Sequence, residues 1–154
     1  MVCCRPEVKD LDELRVAVKK LREGARLPEY ASAGAAGMDL CACLDEPVQL
    51  TPGNIACIPT GLAMAIPYGH VGLIRDRSSL AMAGIHTVAG VIDSDYRGEI
   101  MIAVHNAGPA GISVRSGERI AQMVILPCPQ VRVFEAWELP STERGAGGFG
   151  STGR

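Results

Sequence analysis

Aromatic residues are scarce in this chain, which has only two Phe, three Tyr and one Trp among its 154 residues. Its core must therefore come from Val, Ile, Leu, Ala and Met, because hydrophobic residues still reach 47%. The 18 Gly and 10 Pro supply many turn signals and favour short strands over long helices. A chain of this length fits one domain with a sizeable core.

A strong net charge is also missing. The 15 Lys and Arg residues nearly balance the 17 Asp and Glu residues, which leaves a formal charge of -2. The chain therefore has no long-range attraction for nucleic acid or for an anionic membrane, and we expect neither as a partner. An anionic small molecule would have to be held by a few local arginines.

Long hydrophobic runs and paired cysteine motifs are absent as well. No run approaches the roughly 20 residues that span a membrane, and the first residues lack a stretch of signal-peptide length. The six cysteines contain no two Cys-x-x-Cys pairs, and His70, His86 and His105 lack partners at metal-ligand spacing. We expect a cytoplasmic protein with reduced cysteines and no metal held by protein ligands alone, with a nuclear or organellar location as the alternative.

What the sequence does contain is a series of short apolar runs between Val48 and Ile74. The turn signals that separate these runs are Pro52-Gly53, Pro59, Gly61, Pro67 and Gly69. Strands of about five residues with turns at such spacing predict an all-β sandwich or barrel.

The two ends of the chain are harder to interpret. Leu11, Leu14, Val18 and Leu21 recur at helical spacing, but the alternation around Val18 is typical of a strand. We predict an N-terminal extension over residues 1–14 and a first strand over about residues 15–21, with a short helix as the alternative. Near the other end, alternation over residues 131–137 predicts a last strand that crosses to a partner chain.

One hairpin carries the densest chemistry. Predicted strands over Val88 to Ile92 and Ile100 to Val104 flank a tip that contains Asp93, Asp95 and Tyr96. A carboxylate held at such a tip and partly shielded by apolar neighbours can act as a general base on water. The alternative is that the two aspartates only form the turn, because Asp bonds its own backbone there.

Three other segments have polar residues in unusual settings. Arg77, Ser78 and Ser79 offer guanidinium, hydroxyl and backbone groups to an anion at the start of a short helix, although a simple N-cap explains them equally well. Gln122 stands in an apolar run and needs hydrogen-bond partners unless it faces outward. Phe149 lies in a Gly-rich tail, where its ring suggests a lid that stacks on a flat base rather than a disordered linker.

In this order, five segments resemble the motifs of the homotrimeric dUTPase family, the deoxyuridine triphosphate nucleotidohydrolases. The five segments are Ala36-Gly37-Met38-Asp39-Leu40, Arg77-Ser78-Ser79-Leu80-Ala81, Gly90-Val91-Ile92-Asp93-Ser94-Asp95-Tyr96-Arg97-Gly98, Gly117-Glu118-Arg119-Ile120-Ala121-Gln122 and Arg144-Gly145-Ala146-Gly147-Gly148-Phe149-Gly150-Ser151-Thr152-Gly153. The resemblance implies a distorted jelly-roll β-barrel over residues 15–137, with short strands and little helix. It also implies a homotrimer with shared active sites, each closed by a neighbouring subunit's arm, residues 138–154.

The reaction that the resemblance implies is hydrolysis of dUTP to dUMP and pyrophosphate. Asp93 would activate the water that attacks the α-phosphorus, while Mg²⁺ would be held mainly by the triphosphate and touched through water by Asp39. Tyr96 would lie against the deoxyribose and exclude a 2′-hydroxyl. The residues implied to bind substrate are Arg77, Ser78, Ser79, Thr87, Gly90, Val91, Ile92, Tyr96, Met101, Gln122, Arg144, Phe149, Gly150, Ser151 and Thr152. Such an enzyme keeps uracil out of DNA and supplies dUMP for thymidylate synthesis.

The chain departs from the family pattern at three positions. Asp76 precedes Arg77 where many members have Pro, Ser79 replaces a Gly, and Thr87 stands where some members carry an Asn that contacts uracil. We expect Asp76 to point away from the phosphates or to pair with Arg75. Two other functions remain as alternatives, a dCTP deaminase-like enzyme and a non-enzymatic nucleotide-binding regulatory trimer.

Overall fold

The structure is a computed structural model and describes residues 14–148. Its strands, in chain order, are β1 (Ala17–Lys20), β2 (Glu29–Tyr30), β3 (Met38–Cys41), β4 (Val48–Leu50), β5 (Ile55–Pro59), β6 (Leu62–Ala65), β7 (His70–Arg75), β8 (Ile85–Thr87), β9 (Val91–Ile92), β10 (Met101–Asn106), β11 (Ile112–Val114) and β12 (Arg119–Pro127). One short helix, α1 (Ser78–Met82), lies between β7 and β8. The predicted all-β class with short strands and little helix is confirmed. Within residues 14–148, no helix is long and apolar enough to cross a membrane.

A five-stranded sheet in the order β2-β3-β12-β7-β9 carries most of the polar residues of interest. Its longest strand, β12, pairs with β3 on one side and with β7 on the other. A three-stranded sheet has the order β5-β10-β8, and the pairs β1-β6 and β11-β4 complete the described strands. Every pairing is antiparallel.

The core between these sheets is aliphatic, as the scarcity of aromatic residues predicts. Leu40, Ile58, Leu62, Ile100 and Met123 are fully buried at 0% exposure, and no aromatic residue is among the buried hydrophobic residues of the described chain. Burial of each such side chain stabilises the fold by roughly 1.5–3 kcal/mol. Buried residues alternate with exposed or half-buried ones along β10, which shows how one strand supplies both a core face and an outer face.

The Pro and Gly punctuation between residues 48 and 74 marks turns between strands, as predicted. At Gly61 the backbone φ is +69°, and a Cβ there would lie 2.8 Å from Ala25 Cβ and 2.9 Å from Cys43 Sγ. Glycine is therefore required both by the backbone conformation and by the close approach of its neighbours. The predicted first strand is confirmed as well, since β1 lies inside residues 15–21.

The predicted strand from Val88 to Ile92 is wrong in its extent. The chain breaks there into β8 and β9, and between them Ala89 and Gly90 have φ angles of +64° and +122°. The break arises because β8 pairs with β10 whereas β9 leaves that sheet and pairs with β7. Two tertiary partners, rather than the local apolar pattern, decide the path of this segment.

The segment after β12 contains no strand within its described residues, 128–148. The predicted strand over residues 131–137 is instead exposed, with Val131, Val133, Phe134 and Trp137 between 78% and 104% accessible. A strand needs a partner edge, and residues 131–137 pair with no strand among residues 14–148. The prediction that it crosses to another chain stays a prediction, and the extension before residue 14 lies outside the described residues.

Candidate active site

The register of the five-stranded sheet places three of the predicted motifs in one row. Gln122 on β12 lies opposite Asp39 on β3 and opposite Arg75 at the end of β7. The chain then turns into α1, with Arg77 at the helix N-cap. Residues that are far apart in sequence, and that were predicted to meet the phosphates and the metal, are therefore brought to one end of the sheet.

Two arginines hold the carboxylate of Asp39. Its Oδ1 accepts a hydrogen bond from Arg77 Nε at 3.1 Å, and its Oδ2 accepts one from Arg119 Nη1 at 3.0 Å. The Asp39 side chain is 15% exposed, so these ion pairs are partly shielded from water. They fix Arg77 at the wall of a cleft of about 960 Å³ that Lys20 and Arg26 also line. Four cationic side chains and three carboxylates line the cleft, and one of these carboxylates, Asp39, is already paired with two of the arginines. The remaining balance of charge is suited to an anionic group.

Residues 77–79 do not act as a simple side-chain N-cap of α1, which was the alternative to an anion site. Arg77 occupies the N-cap position, but α1 has no side-chain capping hydrogen bond, and the Arg77 guanidinium turns to Asp39 instead. Ser78 and Ser79 follow in the first helical turn and are both exposed. Two exposed serines therefore follow a positioned arginine directly in the chain, and these are the residue types predicted to bind phosphate oxygens.

Asp76, the unexpected acid in this segment, points toward β8. Its Oδ1 accepts hydrogen bonds from Thr87 N and Thr87 Oγ1, both at 2.6 Å, and its Oδ2 lies 3.0 Å from His86 Nδ1. Burial raises the pKa of this carboxyl, but the hydrogen bonds from Thr87 and His86 outweigh burial and hold the pKa below its ordinary value. The carboxylate is thus directed at β8, and its partners are Thr87 and His86 rather than the expected Arg75.

Gln122 is held in place by the same segment. Its Nε2 donates to the Asp76 carbonyl oxygen at 2.9 Å. On its other side, a Cβ added to Gly37 would lie 2.8 Å from Gln122 Oε1, so the backbone of the first motif passes close to the amide. The outward-facing alternative for Gln122 is therefore wrong, because the side chain is half-buried between two motifs.

The hairpin that carries Asp93 is split at its base. β9 pairs with β7, and β10 pairs with β5 and β8, while no ladder joins β9 to β10 in the described structure. A cavity of about 310 Å³ lies in the split, lined by Val91, Ile92, Asp93, Tyr96, Glu99 and Met101. The edge of β9 that faces away from β7, and the start of β10 at Met101 before its pairing with β8, therefore keep backbone donors and acceptors that a flat polar ring could use. Glu99 is the one member of this lining that the sequence did not single out.

The ring of Tyr96 is fixed against its own turn. Its hydroxyl donates to the Glu99 carbonyl oxygen at 3.0 Å, and a Cβ at Gly98 would collide with the same hydroxyl. Glu99 is in turn anchored to the core, because its Oε1 accepts a hydrogen bond from Gly61 N at 2.8 Å. The tip is therefore a constrained turn rather than a loose loop, although Tyr96 remains 43% exposed at its surface.

Asp93 lies at the mouth of this cavity and is exposed. Its backbone carbonyl accepts a hydrogen bond from Tyr96 N at 3.2 Å, which closes the turn. Its carboxylate takes part in none of the ion pairs found among residues 14–148. The side chain is thus available to a ligand rather than locked inside the barrel.

The hairpin cavity and the arginine cleft lie at opposite ends of β7. Ile92 is opposite Gly72, near the start of β7, and Asp93 continues toward that start. Arg77 follows the other end of the strand, after Arg75. Continuing the register brings Asp93 level with Val71, and the four residue steps from Val71 to Arg75 span roughly 13 Å at a strand rise of about 3.3 Å per residue. No residue lines both cavities in the described chain.

The C-terminal motif is only partly described. Arg144 is exposed and its Nε donates to the Gly147 carbonyl oxygen at 2.9 Å, so it does not meet the other predicted site residues. The predicted residues Phe149, Gly150, Ser151 and Thr152 lie outside the described residues. Their predicted roles stay predictions.

Arg119 is a site residue that sequence reasoning overlooked. It supplies the second cation to Asp39, and its carbonyl oxygen accepts a hydrogen bond from Arg77 at 3.3 Å. The only available signal was its position three residues before Gln122, which gave no indication of a partner on β3. Within the described residues, no group of three or more His, Cys, Asp or Glu side chains could hold a metal ion.

Comparisons with known proteins agree with this geometry. A family model described as dUTPase matches residues 23–153. The deoxyuridine 5'-triphosphate nucleotidohydrolase of Rhizobium meliloti (strain 1021) is 52% identical over 136 residues, which cover 85% of this chain and 85% of that protein.

Solved structures are similar to the chain over most of its length. A mutant dUTPase of Staphylococcus bacteriophage 80alpha, solved with dUpNHpp, has a TM-score of 0.84 at 30% identity and covers 91% of this chain and 99% of its own. A mutant dUTPase from phage phi11 of S. aureus, described with a structural Mg(II) ion, has a TM-score of 0.75 at 27% identity and covers 82% and 99%. The jelly-roll-like β fold expected from the motifs is confirmed.

Proposed function

The chain belongs to the dUTPase family, and from that premise we propose that it hydrolyses dUTP to dUMP and pyrophosphate, with Mg²⁺, at active sites shared within a homotrimer. The reaction keeps uracil out of DNA and supplies dUMP for thymidylate synthesis. One observation carries the proposal. A split hairpin with the exposed carboxylate of Asp93 at its mouth and a cleft that Arg77 and Asp39 line occur in the same chain, toward opposite ends of β7.

The hairpin is the base-binding part of the site. Uracil is flat and has alternating donors and acceptors on its edge. The edge of β9 that faces away from β7, and the backbone at Met101, which precedes the part of β10 paired with β8, are suited to bond such an edge. Backbone groups have fixed positions, and they therefore discriminate a carbonyl from an amino group at position 4 of a pyrimidine. Tyr96, held by Gly98 and by the Glu99 carbonyl oxygen, provides a rigid wall against which the deoxyribose lies and a 2′-hydroxyl is excluded.

Asp93 is the general base in this proposal. It holds a water molecule on the α-phosphorus, takes a proton from that water as the new P–O bond forms, and pyrophosphate leaves from the opposite side. The exposed and unpaired state of the carboxylate in one chain supports this role, because the water and the nucleotide must still be able to reach it.

The end of the five-stranded sheet that carries Asp39, Arg77 and Gln122 is the phosphate-binding part of the site. Arg77, pre-positioned by Asp39, together with Ser78, Ser79 and Gln122, offers donors to the α- and β-phosphates. Donors that are already fixed before the substrate arrives need little reorganisation as negative charge moves to the leaving pyrophosphate. Arg144, Ser151 and Thr152 of the arm would bind the γ-phosphate, with Phe149 stacked on uracil.

Magnesium fits this donor set through water. A carboxylate oxygen is an ordinary ligand for Mg²⁺, but both oxygens of Asp39 already accept hydrogen bonds from arginines, which supports an indirect contact from Asp39. When bound to the triphosphate, the ion neutralises charge that builds up on the phosphate oxygens. Asp39 then serves two tasks, as the anchor of Arg77 and as an outer-sphere acceptor.

The distance between the two parts supports a site made from several chains. Asp93 and Arg77 of one chain lie toward opposite ends of β7, and in this proposal each part meets the complementary part of a neighbour. The exposed apolar residues Val131, Phe134 and Trp137 support association, since stripes of this kind are normally covered by a partner.

A mixing experiment tests the activity and the shared site together. The wild-type chain should release pyrophosphate from dUTP, while the Asp93→Asn and Arg77→Ala homotrimers should each lose at least about three orders of magnitude in turnover. Mixed trimers of the two variants should recover activity, because some sites then combine an intact Asp93 with an intact Arg77.

Each failure in that experiment has a separate meaning. Wild-type binding of dUTP without pyrophosphate release would favour a regulatory trimer, and ammonia release from dCTP would favour a deaminase. Mixed trimers that are verified by mass and show no recovery would place the whole site within one chain.

A further inference from the structure

Asp76 forms a bridge between two of the motifs and the strand β8. Its backbone carbonyl oxygen accepts a hydrogen bond from Gln122, and its carboxylate accepts two from Thr87. It directly precedes Arg77 in the chain. One residue therefore joins the phosphate-binding segment, the strand β12 and the base of the uracil-binding hairpin.

The bridge is made at two positions where the chain departs from the pattern of its family. Asp76 replaces the Pro of many members, and Thr87 stands where some carry Asn. The two are bonded to each other through both the amide and the hydroxyl of Thr87, at 2.6 Å each. A Pro at position 76 would leave the Thr87 amide without this acceptor. The acid at 76 and the hydroxyl at 87 are thus chemically matched.

The surroundings of the bridge keep it in a defined geometry. His86 Nδ1 lies 3.0 Å from the second carboxylate oxygen, so each oxygen of Asp76 has a partner on β8. Both side chains of this pair are partly shielded, at 45% exposure for His86 and 32% for Asp76. Three contacts converge on one short side chain, and hydrogen bonds to an ionised acceptor are stronger than those between neutral groups.

We propose that Asp76 is a positioning residue for the dUTP reaction, which holds the phosphate-binding segment and the uracil-binding hairpin of one chain in fixed register. This inference rests on the function proposed above. In the shared-site trimer these two segments serve different active sites, so a single substitution at Asp76 loosens the base side of one site and the phosphate side of another. Asp76 touches no substrate atom and acts through Thr87 and Arg77.

Two competitive inhibitors separate the two sides in the experiment. Deoxyuridine reports on the hairpin, and inorganic triphosphate reports on the phosphate-binding segment. The Asp76→Ala variant should raise the inhibition constants of both compounds by about tenfold, which corresponds to one lost charge-assisted contact on each side. A rise for triphosphate alone would overturn the proposal, because Asp76 would then matter only to its own loop.

The conservative variant distinguishes positioning from general damage. In Asp76→Asn the amide oxygen can still accept from Thr87 and the amide nitrogen can donate to neutral His86. Both inhibition constants and the KM for dUTP should return to within about threefold of wild type. Asp45→Ala, at a side chain that is 98% exposed, is the matched control and should leave both constants unchanged. No rescue by Asn would contradict the hydrogen-bond role.

A readout that does not depend on turnover completes the test. Hydrogen exchange at the Thr87 amide should accelerate in Asp76→Ala and stay slow in Asp76→Asn, and equal exchange in all variants would overturn the bridge itself. The exchange measurement tests the bridge even if the wild-type protein fails to hydrolyse dUTP. Failure to hydrolyse dUTP would contradict only the proposed function. Should Asp76→Ala not fold, Thr87→Val removes the hydroxyl half of the contact. That variant must then raise the deoxyuridine constant about threefold, and an unchanged constant refutes the proposal.

Discussion

Replacement of Gly90 by alanine tests the geometry of the split hairpin. Gly90 has φ = +122°, and a Cβ there would lie 2.9 Å from Ile74 Cβ and 3.1 Å from the Ile74 carbonyl oxygen. That carbonyl belongs to β7, and the Ile74 amide donates to the Gly90 carbonyl oxygen at 2.8 Å. The new methyl group cannot escape without moving β7 or the hairpin, because part of what it meets is backbone.

The expected cost has two sources of similar size. A non-glycine residue in this backbone region is strained by about 1–3 kcal/mol, and overpacking adds about 1–3 kcal/mol. We therefore expect Gly90→Ala to lower the free energy of unfolding by about 2–6 kcal/mol. The hairpin should also shift away from uracil, and the loss of one backbone hydrogen bond, about 1 kcal/mol, would raise the KM for dUTP about fivefold.

Gly53→Ala is the matched control for this prediction. Gly53 also has a positive φ, +80°, but nothing lies within 4 Å of its Cβ position, so it carries strain without overpacking. Urea unfolding should be measured at one fixed protein concentration, because association changes apparent stability. If Gly90→Ala is no less stable than Gly53→Ala and keeps the wild-type KM, the close approach of β7 to the hairpin is refuted.

Local signals in the sequence were sufficient for elements whose cause is local. Alternation around Val18 predicted β1, and the Pro and Gly pairs predicted the turns on either side of β5 and β6. The start of α1 after Arg77 was likewise predicted from residues in direct succession. The aliphatic character of the core followed from composition, because the chain has too few aromatic side chains to fill it.

The hairpin break and the direction of Asp76 depend instead on distant partners. Nothing in the run from Val88 to Ile92 shows that β9 will join β7 while β8 stays on β10, since each choice is made by strands from elsewhere. Asp76 could have turned to its neighbour Arg75, but Thr87, eleven residues on, offers two donors. The motif resemblance named candidate site residues and included Arg119 in its fourth segment, yet it gave no sign that this arginine is the second partner of Asp39.

Two further predictions concern the phosphate side. Gly37→Ala places a Cβ 2.8 Å from Gln122 Oε1, so the Gln122 amide should lose its hydrogen bond to the Asp76 carbonyl oxygen. We expect kcat/KM for dUTP to fall roughly tenfold. Gly34→Ala, whose Cβ has nothing within 4 Å, is the control, and equal kinetics of the two variants would contradict this contact. The second prediction concerns pH. Burial raises the pKa of Asp76, but the hydrogen bonds from Thr87 and His86 outweigh burial and hold this pKa below its ordinary value. The charged form therefore stabilises the fold above the unfolded pKa of about 3.9, and this stability is lost as pH falls through the lower folded pKa. The unfolding free energy of wild type should exceed that of Asp76→Asn by a constant amount above about pH 5, and the gap should close below about pH 4. A gap that persists unchanged in acid would mean that the charge on Asp76 contributes nothing to its contacts with β8.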